Sequence, residues 1–253
     1  MNVLRKILIV LLSLVFIFSA YKIITIYKGY SDAEKIYDDS RSSFMVVEDD
    51  EEKEAEAVRE YFPFVEIDFD SLLAENPDVL GWIWIPGMEV NYPLVQGETN
   101  DTYLYTSYNH ISTSNGSIFM NSGNAPDFSD DNTIIYGHNM KNSSMFGSLK
   151  NYKDQEFFKE HQMIYIFTPD KVYKYVVFSC YETPSNSDTY ITNYGGNITN
   201  AAYLKLVSEQ SLITSDIVPE EGDPLLLLST CTSNRNNRLV VHGALLAVKD
   251  LTN

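Results

Sequence analysis

The chain has 253 residues, 44% hydrophobic and 13% aromatic, which is enough apolar surface for one good-sized packed domain and too much for a disordered chain. Eighteen basic against 35 acidic residues leave a net charge of −17, which repels phosphate backbones; with no basic patch to offset it, nucleic acid is excluded as a partner. Two cysteines and four histidines, none at an i, i+4 or HExxH spacing, set no metal site and imply no cofactor.

In chain order, Arg5 and Lys6 precede an apolar run over 7–27 broken only by Lys22. That is about the ~20 residues needed to cross a bilayer. Ser19 and Ala20 are small, but Phe18 stands where a signal-peptidase site wants a small residue, so an uncleaved transmembrane signal-anchor is expected. The charges ahead of it put 1–6 in the cytoplasm and the body outside the cell membrane. An acidic stalk is expected over 28–64; its 48–60 segment carries eight carboxylates against Lys53 and Arg59. The body then occupies 65–253.

Within the body, a short helix is expected from Asp70 to a stop at Pro77. Strand signals follow at 79–85, 90–95, 117–120, 133–136, 163–167, 172–180, 225–230 and 239–248, with helical patches at 102–108, 145–161 and 201–210. Eight short strands separated by turns give a mainly β fold, a closed barrel with peripheral helices. The segment over 182–199, rich in Ser, Asn, Thr and Gly, is expected to be a long loop.

Cys231 follows four leucines and Ser229-Thr230, so it stands at a strand end beside the polar loop Thr232-Ser233-Asn234-Arg235-Asn236-Asn237. Cys180 lies inside an apolar strand, where free thiols usually pack, and a disulfide between the two is disfavoured. A thiol nucleophile needs a readily deprotonated sulfur, a proton donor for the leaving group and a cation or dipole for the oxyanion. His138 ends the strand Thr133-Ile134-Ile135-Tyr136 beside Gly137, which is expected to let the backbone turn. His242 is its rival, on one strand face with Arg238; His161 and His110 belong to surface segments. Arg238 opens a strand, whereas Arg235 is mid-loop. On these residues alone an inert strand-end thiol is the commoner outcome.

Ser229-Thr230-Cys231 followed by Arg238-Leu239-Val240-Val241, with Tyr136-Gly137-His138-Asn139-Met140 upstream, resembles the sortases, cell-surface cysteine transpeptidases of mainly Gram-positive bacteria. Asn76-Pro77-Asp78-Val79-Leu80-Gly81-Trp82, Tyr92-Pro93-Leu94-Val95-Gln96, Asn100-Asp101-Thr102-Tyr103-Leu104 and Gly116-Ser117-Ile118-Phe119-Met120 are similar to the class B branch, in order over about 65–249. The resemblance implies an eight-stranded sortase-type β-barrel in which Cys231 attacks the carbonyl after threonine in a sorting pentapeptide, of the Asn-Pro-x-Thr kind, on an exported protein. His138 would protonate the leaving amine and Arg238 would hold the oxyanion. A peptidoglycan amine would then take the acyl group. Asn100, Leu104, Tyr190 and Ser229 would line the peptide groove, in competition with capping for Asn100 and core packing for Leu104. The position after the nucleophile, often acidic in the family, is Thr232. Two readings share these residues: a catalytically silent, membrane-tethered peptide-binding module, and a hydrolase with water as acceptor.

Overall fold

A computed structural model describes residues 3–47, 61–196, 198–234 and 236–251. Helix α1 (Val3–Phe44) runs 42 residues without a break. Its first half is apolar and exposed, and the helix is long and apolar enough to cross a membrane. Further on, Ala33, Tyr37 and Ser40, spaced four and three apart, turn one face inward and are buried. Tyr37 Oη donates to the Gly116 carbonyl, and its ring meets Tyr92 edge-on at 5.2 Å. The stalk expected from residue 28 is therefore corrected over 28–44: that stretch is helix docked on the body, because a narrow inward stripe is hidden among polar neighbours. Its remainder is bracketed by a small ladder of β1 (Met45–Val47) and β2 (Val65–Ile67). The acidic run at 48–60 lies outside the described residues, as does Arg235.

Helix α2 (Phe69–Glu75) starts two residues earlier than a cap at Asp70 would put it, because the Asp68 carboxylate accepts from the Ser71 amide. All eight expected barrel strands form: β3 (Val79–Trp84), β4 (Asn91–Val95), β5 (Ile118–Met120), β6 (Asn132–Tyr136), β7 (Met163–Phe167), β8 (Lys171–Pro184), β9 (Leu225–Cys231) and β10 (Asn237–Asp250). They close in the order β10-β8-β7-β3-β4-β5-β6-β9. Two neighbouring pairs, β4 with β5 and β6 with β9, are parallel; the others are antiparallel.

The patch expected as helix over 102–108 is instead a series of turns. Its backbone is taken sideways, Ser117 N to Tyr103 O (3.0 Å) and Thr113 N to Tyr105 O (3.0 Å), and Tyr103 Oη donates to Asp78 (2.7 Å). The patch over 145–161 splits into a 3-10 turn, Gly147–Lys153, and α3 (Gln155–Glu160), capped by Asp154. The third patch is α4 (Asn200–Glu209), capped by Thr199. Strand β8 runs on into the expected loop as far as Pro184.

Four consecutive leucines are tolerated in β9 because both its faces are buried. Leu226 and Leu228 join the barrel interior with Trp82, Ile166 and Val241. Leu225 and Leu227 join an outer cluster with Val176, Phe178 and Val240, roofed by Tyr203 and Val207 of α4.

Candidate active site

Strands β6 and β9 run parallel in register, with Tyr136 opposite Ser229. His138 and Cys231 each lie two residues beyond that rung, so the two strands deliver them at the same end of the barrel. The Gly137 amide adds a bond to Ser229 O (3.2 Å), and Asn139 Nδ2 donates to the Cys231 carbonyl at 2.7 Å. Strand β10 returns antiparallel and sets Arg238 directly opposite Cys231. The hairpin between them is closed by Asn237 N to Asn234 O (2.9 Å) and by Thr232 Oγ1, which donates to Asn234 O (2.8 Å).

Around this end lies a cavity of about 280 Å³. All seven residues singled out from the sequence line it: Asn100, Leu104, His138, Tyr190, Ser229, Cys231 and Arg238. Cys231 is exposed and half-buried His138 and Arg238 flank the space.

His138 Nε2 lies 2.6 Å from the Leu104 carbonyl oxygen. A carbonyl only accepts, so Nε2 carries a hydrogen and Nδ1 is the nitrogen left for proton exchange. The Tyr105 ring packs over the imidazole at 5.4 Å. Leu104 thus does more than pack: its side chain lines the cleft and its backbone holds the histidine. Asn100 caps no helix; its Oδ1 accepts from the Ser122 amide at 2.8 Å and ties two loops at the rim. Tyr190 and Ser229 share a hydrogen bond of 2.9 Å between their hydroxyls.

Arg238 Nη1 donates to Asn237 O at 3.1 Å. Its charge acts on Tyr136 and Tyr190, which stack at 6.4 Å. Burial is the main influence on Tyr136 and pushes its hydroxyl up to about 12, with the guanidinium pulling the other way. Neither tyrosine ionises near neutrality, so this wall offers an aromatic surface and neutral hydroxyls.

The rival groups are placed elsewhere. Cys180 is buried, and burial pushes its thiol up to about 12, which removes it as a nucleophile at neutral pH. Neither cysteine is in a disulfide. His242 is buried beside the outer cluster, its ring stacked nearly parallel to Tyr181 at 5.5 Å, with its Nε2 3.2 Å from the tyrosine hydroxyl. Desolvation lowers it to about 3, so it stays neutral. His161 stacks on Phe157 at 4.0 Å, and His110 occupies a left-handed turn with φ 63°.

Sequence reasoning missed Asn139, Tyr136 and Ser185. Tyr136 was within reach as the cross-strand partner of Ser229. Asn139 and Ser185 depend on loop paths that no spacing encodes. Gly137 was assigned a turning role; its φ is not positive, and the actual reason is space, since a Cβ there would meet Ile118 Cδ1 at 2.5 Å and the Phe146 ring at 2.7 Å. Among the described residues no group of three or more His, Cys, Asp or Glu side chains converges as a metal cluster.

The Sortase domain family model matches residues 83–246, from β3 through most of β10. The chain belongs to the class B sortases. It is 35% identical over 173 residues to Sortase B of Listeria monocytogenes, covering 67% of this chain and 70% of that one. It is 30% identical over 242 residues to Sortase B of Staphylococcus aureus, covering 94% and 95%. The barrel superposes on the Staphylococcus aureus sortase B-substrate complex with a TM-score of 0.67 at 32% identity, over 73% of this chain and 85% of that one. Sortases are cysteine transpeptidases, and this sortase presents one exposed thiol, at the end of β9.

Proposed function

We propose that this sortase cleaves a sorting pentapeptide of the Asn-Pro-x-Thr kind after threonine, near the carboxyl end of exported proteins, and passes the acyl group to a peptidoglycan amine. The observation that carries the reading is the single cleft lined by His138, Cys231 and Arg238 together with Asn100, Leu104, Tyr190 and Ser229.

In the proposed mechanism the Cys231 thiol gives its proton to His138 Nδ1 and the sulfur adds, as thiolate, to the threonine carbonyl, while Arg238 holds the developing oxyanion through its N–H groups. Collapse breaks the C–N bond; the departing amine takes a proton from His138 Nδ1, and a thioester remains. The second amine loses a proton to the same nitrogen as it attacks, and the thiolate leaves. One amide is exchanged for another, and the thioester keeps the energy of the first bond, so no nucleotide is consumed. Leu104 and the Tyr136–Tyr190 wall supply apolar and aromatic surface to the peptide, and the Ser229 and Tyr190 hydroxyls supply hydrogen bonds to its backbone.

The apolar start of α1 supports a single-pass membrane anchor over 7–27 with residues 1–6 cytoplasmic and the sortase domain, 65–253, outside the cell. The likeness to a relative solved with substrate supports peptide binding in the same cleft.

The test is mass spectrometry of purified enzyme with a pentapeptide substrate, with and without a glycine-based amine. A thioacyl adduct on Cys231 and a new amide product are expected. Release of free acid only, at every amine concentration, would make the enzyme a hydrolase; no adduct and no turnover would make it a binding module.

A further inference from the structure

Helix α1 does not stop where its apolar run stops, and two loops of the barrel approach it between Ile23 and Ile36, around the start of its buried face at Ala33. Lys141 and Asn142, just after His138, share a cavity of about 560 Å³ with Ile23, Ile26, Tyr27, Tyr30, Ser31 and Glu34 of α1. Asn142 Nδ2 also donates to Glu34 at 3.4 Å. The segment 111–114 borders a second cavity, of about 330 Å³, with Gly29, Asp32 and Ile36.

A helix needs ~20 residues to cross the ~30 Å hydrocarbon layer. Counted from Ile7, the first residue after Arg5 and Lys6, that length ends near Ile26. Ile23 and Ile26 then fall in the last turn within hydrocarbon, and Tyr27, Lys28 and Tyr30 at headgroup level, where aromatic and basic side chains concentrate. The 141–142 loop borders the helix at this level, and the 111–114 segment borders it from Gly29 onward. Tilting the span carries them along and cannot lift them off the bilayer.

We propose, on the membrane-anchor reading above, that the barrel face formed by 109–114 and 139–144 rests on the outer leaflet, and that the cavity between Lys141 and Ile26, with Glu34 on its other side, takes a phospholipid headgroup. Its floor is apolar, suiting the first acyl methylenes, and Lys141 is an exposed cation at its rim. Around this level Lys28 and Lys141 balance Asp32 and Glu34, so the net charge of −17 is not expressed here. Long lysine stems can lie along the apolar surface while their ammonium groups reach phosphate. Ile111, half exposed, presents an apolar side chain to the same layer. The active-site cleft then opens one short loop from the bilayer, since Asn139 bonds both to the Cys231 carbonyl and, through the chain, to Lys141.

The test uses the full chain with Cys231→Ala, whose other thiol, Cys180, is buried. Single cysteines are placed by Ile24→Cys in the span, Ile111→Cys and Lys141→Cys in the loops, and Lys205→Cys on α4, which covers β6, β8, β9 and β10 on the side of the barrel away from β4 and α1. Each is labelled with one fluorophore and reconstituted in phosphatidylglycerol or phosphatidylcholine vesicles carrying headgroup- or shallow-chain spin-labelled lipid. Loss of most emission at 24, 111 and 141, with none at 205, is expected in both lipids. Quenching at 24 without quenching at both 111 and 141 overturns the apposed face and leaves the anchor intact. No quenching at 24 overturns the anchor reading, and this one with it.

Discussion

Cys231 and Arg238 occupy opposite positions on the rung that ends the β9–β10 ladder. Backbone pairing therefore fixes the cation's Cα relative to the thiol, and Arg238 can present two N–H groups where lysine offers a point charge. Arg238→Lys is expected to lower kcat by roughly 10², the size of losing one oxyanion donor. Steady-state kinetics on one pentapeptide checks it, and a silent Arg238→Ala would remove the residue from the mechanism.

The two thiols differ in exposure, and reactivity should follow. A thiol-directed probe at neutral pH is expected to label Cys231 and leave Cys180 unmodified until the chain unfolds, read by peptide mapping. Cys231→Ala should abolish turnover with the fold retained, while Cys180→Ala should keep its activity at a packing cost of ~1 kcal/mol.

The histidines separate into proton exchange and stability. His138→Asn should slow single turnover by ~10² to 10⁴, whereas His242→Asn should leave the chemical step nearly unchanged. If His242→Asn is the severe variant, the assignment is wrong.

His242 carries a pH signature of its own. It is held neutral down to about 3 in the folded protein, while in the unfolded chain it takes up a proton below its ordinary value of 6.5. Between those values the unfolded state binds more protons, so stability falls as pH falls, by on the order of 1 kcal/mol per pH unit. Urea titrations across that window should show the acid-side slope diminished in His242→Gln relative to the parent.

A relay connects α1 to the active site. Tyr37 donates to the Gly116 carbonyl, and Gly116 sits at φ +55° so close to Leu104 that a Cβ would meet its carbonyl oxygen at 2.3 Å. That oxygen accepts the His138 Nε2 hydrogen. Gly116→Ala should lower kcat/KM by roughly 10- to 10²-fold through displacement of the histidine, and should alter the pH–rate profile. Gly195→Ala, at φ +102° with open space around it, should cost a comparable backbone strain with no change in turnover. Equal activity losses would mean that only stability was read.

The barrel was legible because its signals are local. Alternation and turns marked eight strands, and Leu225 to Leu228 announced a strand buried on both faces with Cys231 just past its end. The docked half of α1 was not legible, since Tyr37 and Ser40 sit among charged residues and the partners of Tyr37, Gly116 and Tyr92, come from distant segments. The 102–108 segment carried helix-like spacing that side-to-side backbone bonds overrode. Asn100 and Leu104 came from family resemblance: nothing in their own neighbourhood says that a carbonyl 34 positions before His138 will hold its ring.

The parallel register of β6 and β9 has a consequence for how such an enzyme can change. The His138-to-Cys231 placement is written in the β6–β9 pairing, whereas the loops between His138 and Leu225 lie outside that pairing. Insertions or deletions in those excursions can redraw the groove and alter which peptide is admitted without moving the reacting pair. A single residue added inside either strand has the reverse effect: it rotates every side chain beyond it to the other face and separates the two groups by about one strand rise, ~3.3 Å. Substrate choice in this barrel is therefore free to drift, while the chemistry is held in one reading frame of the sheet.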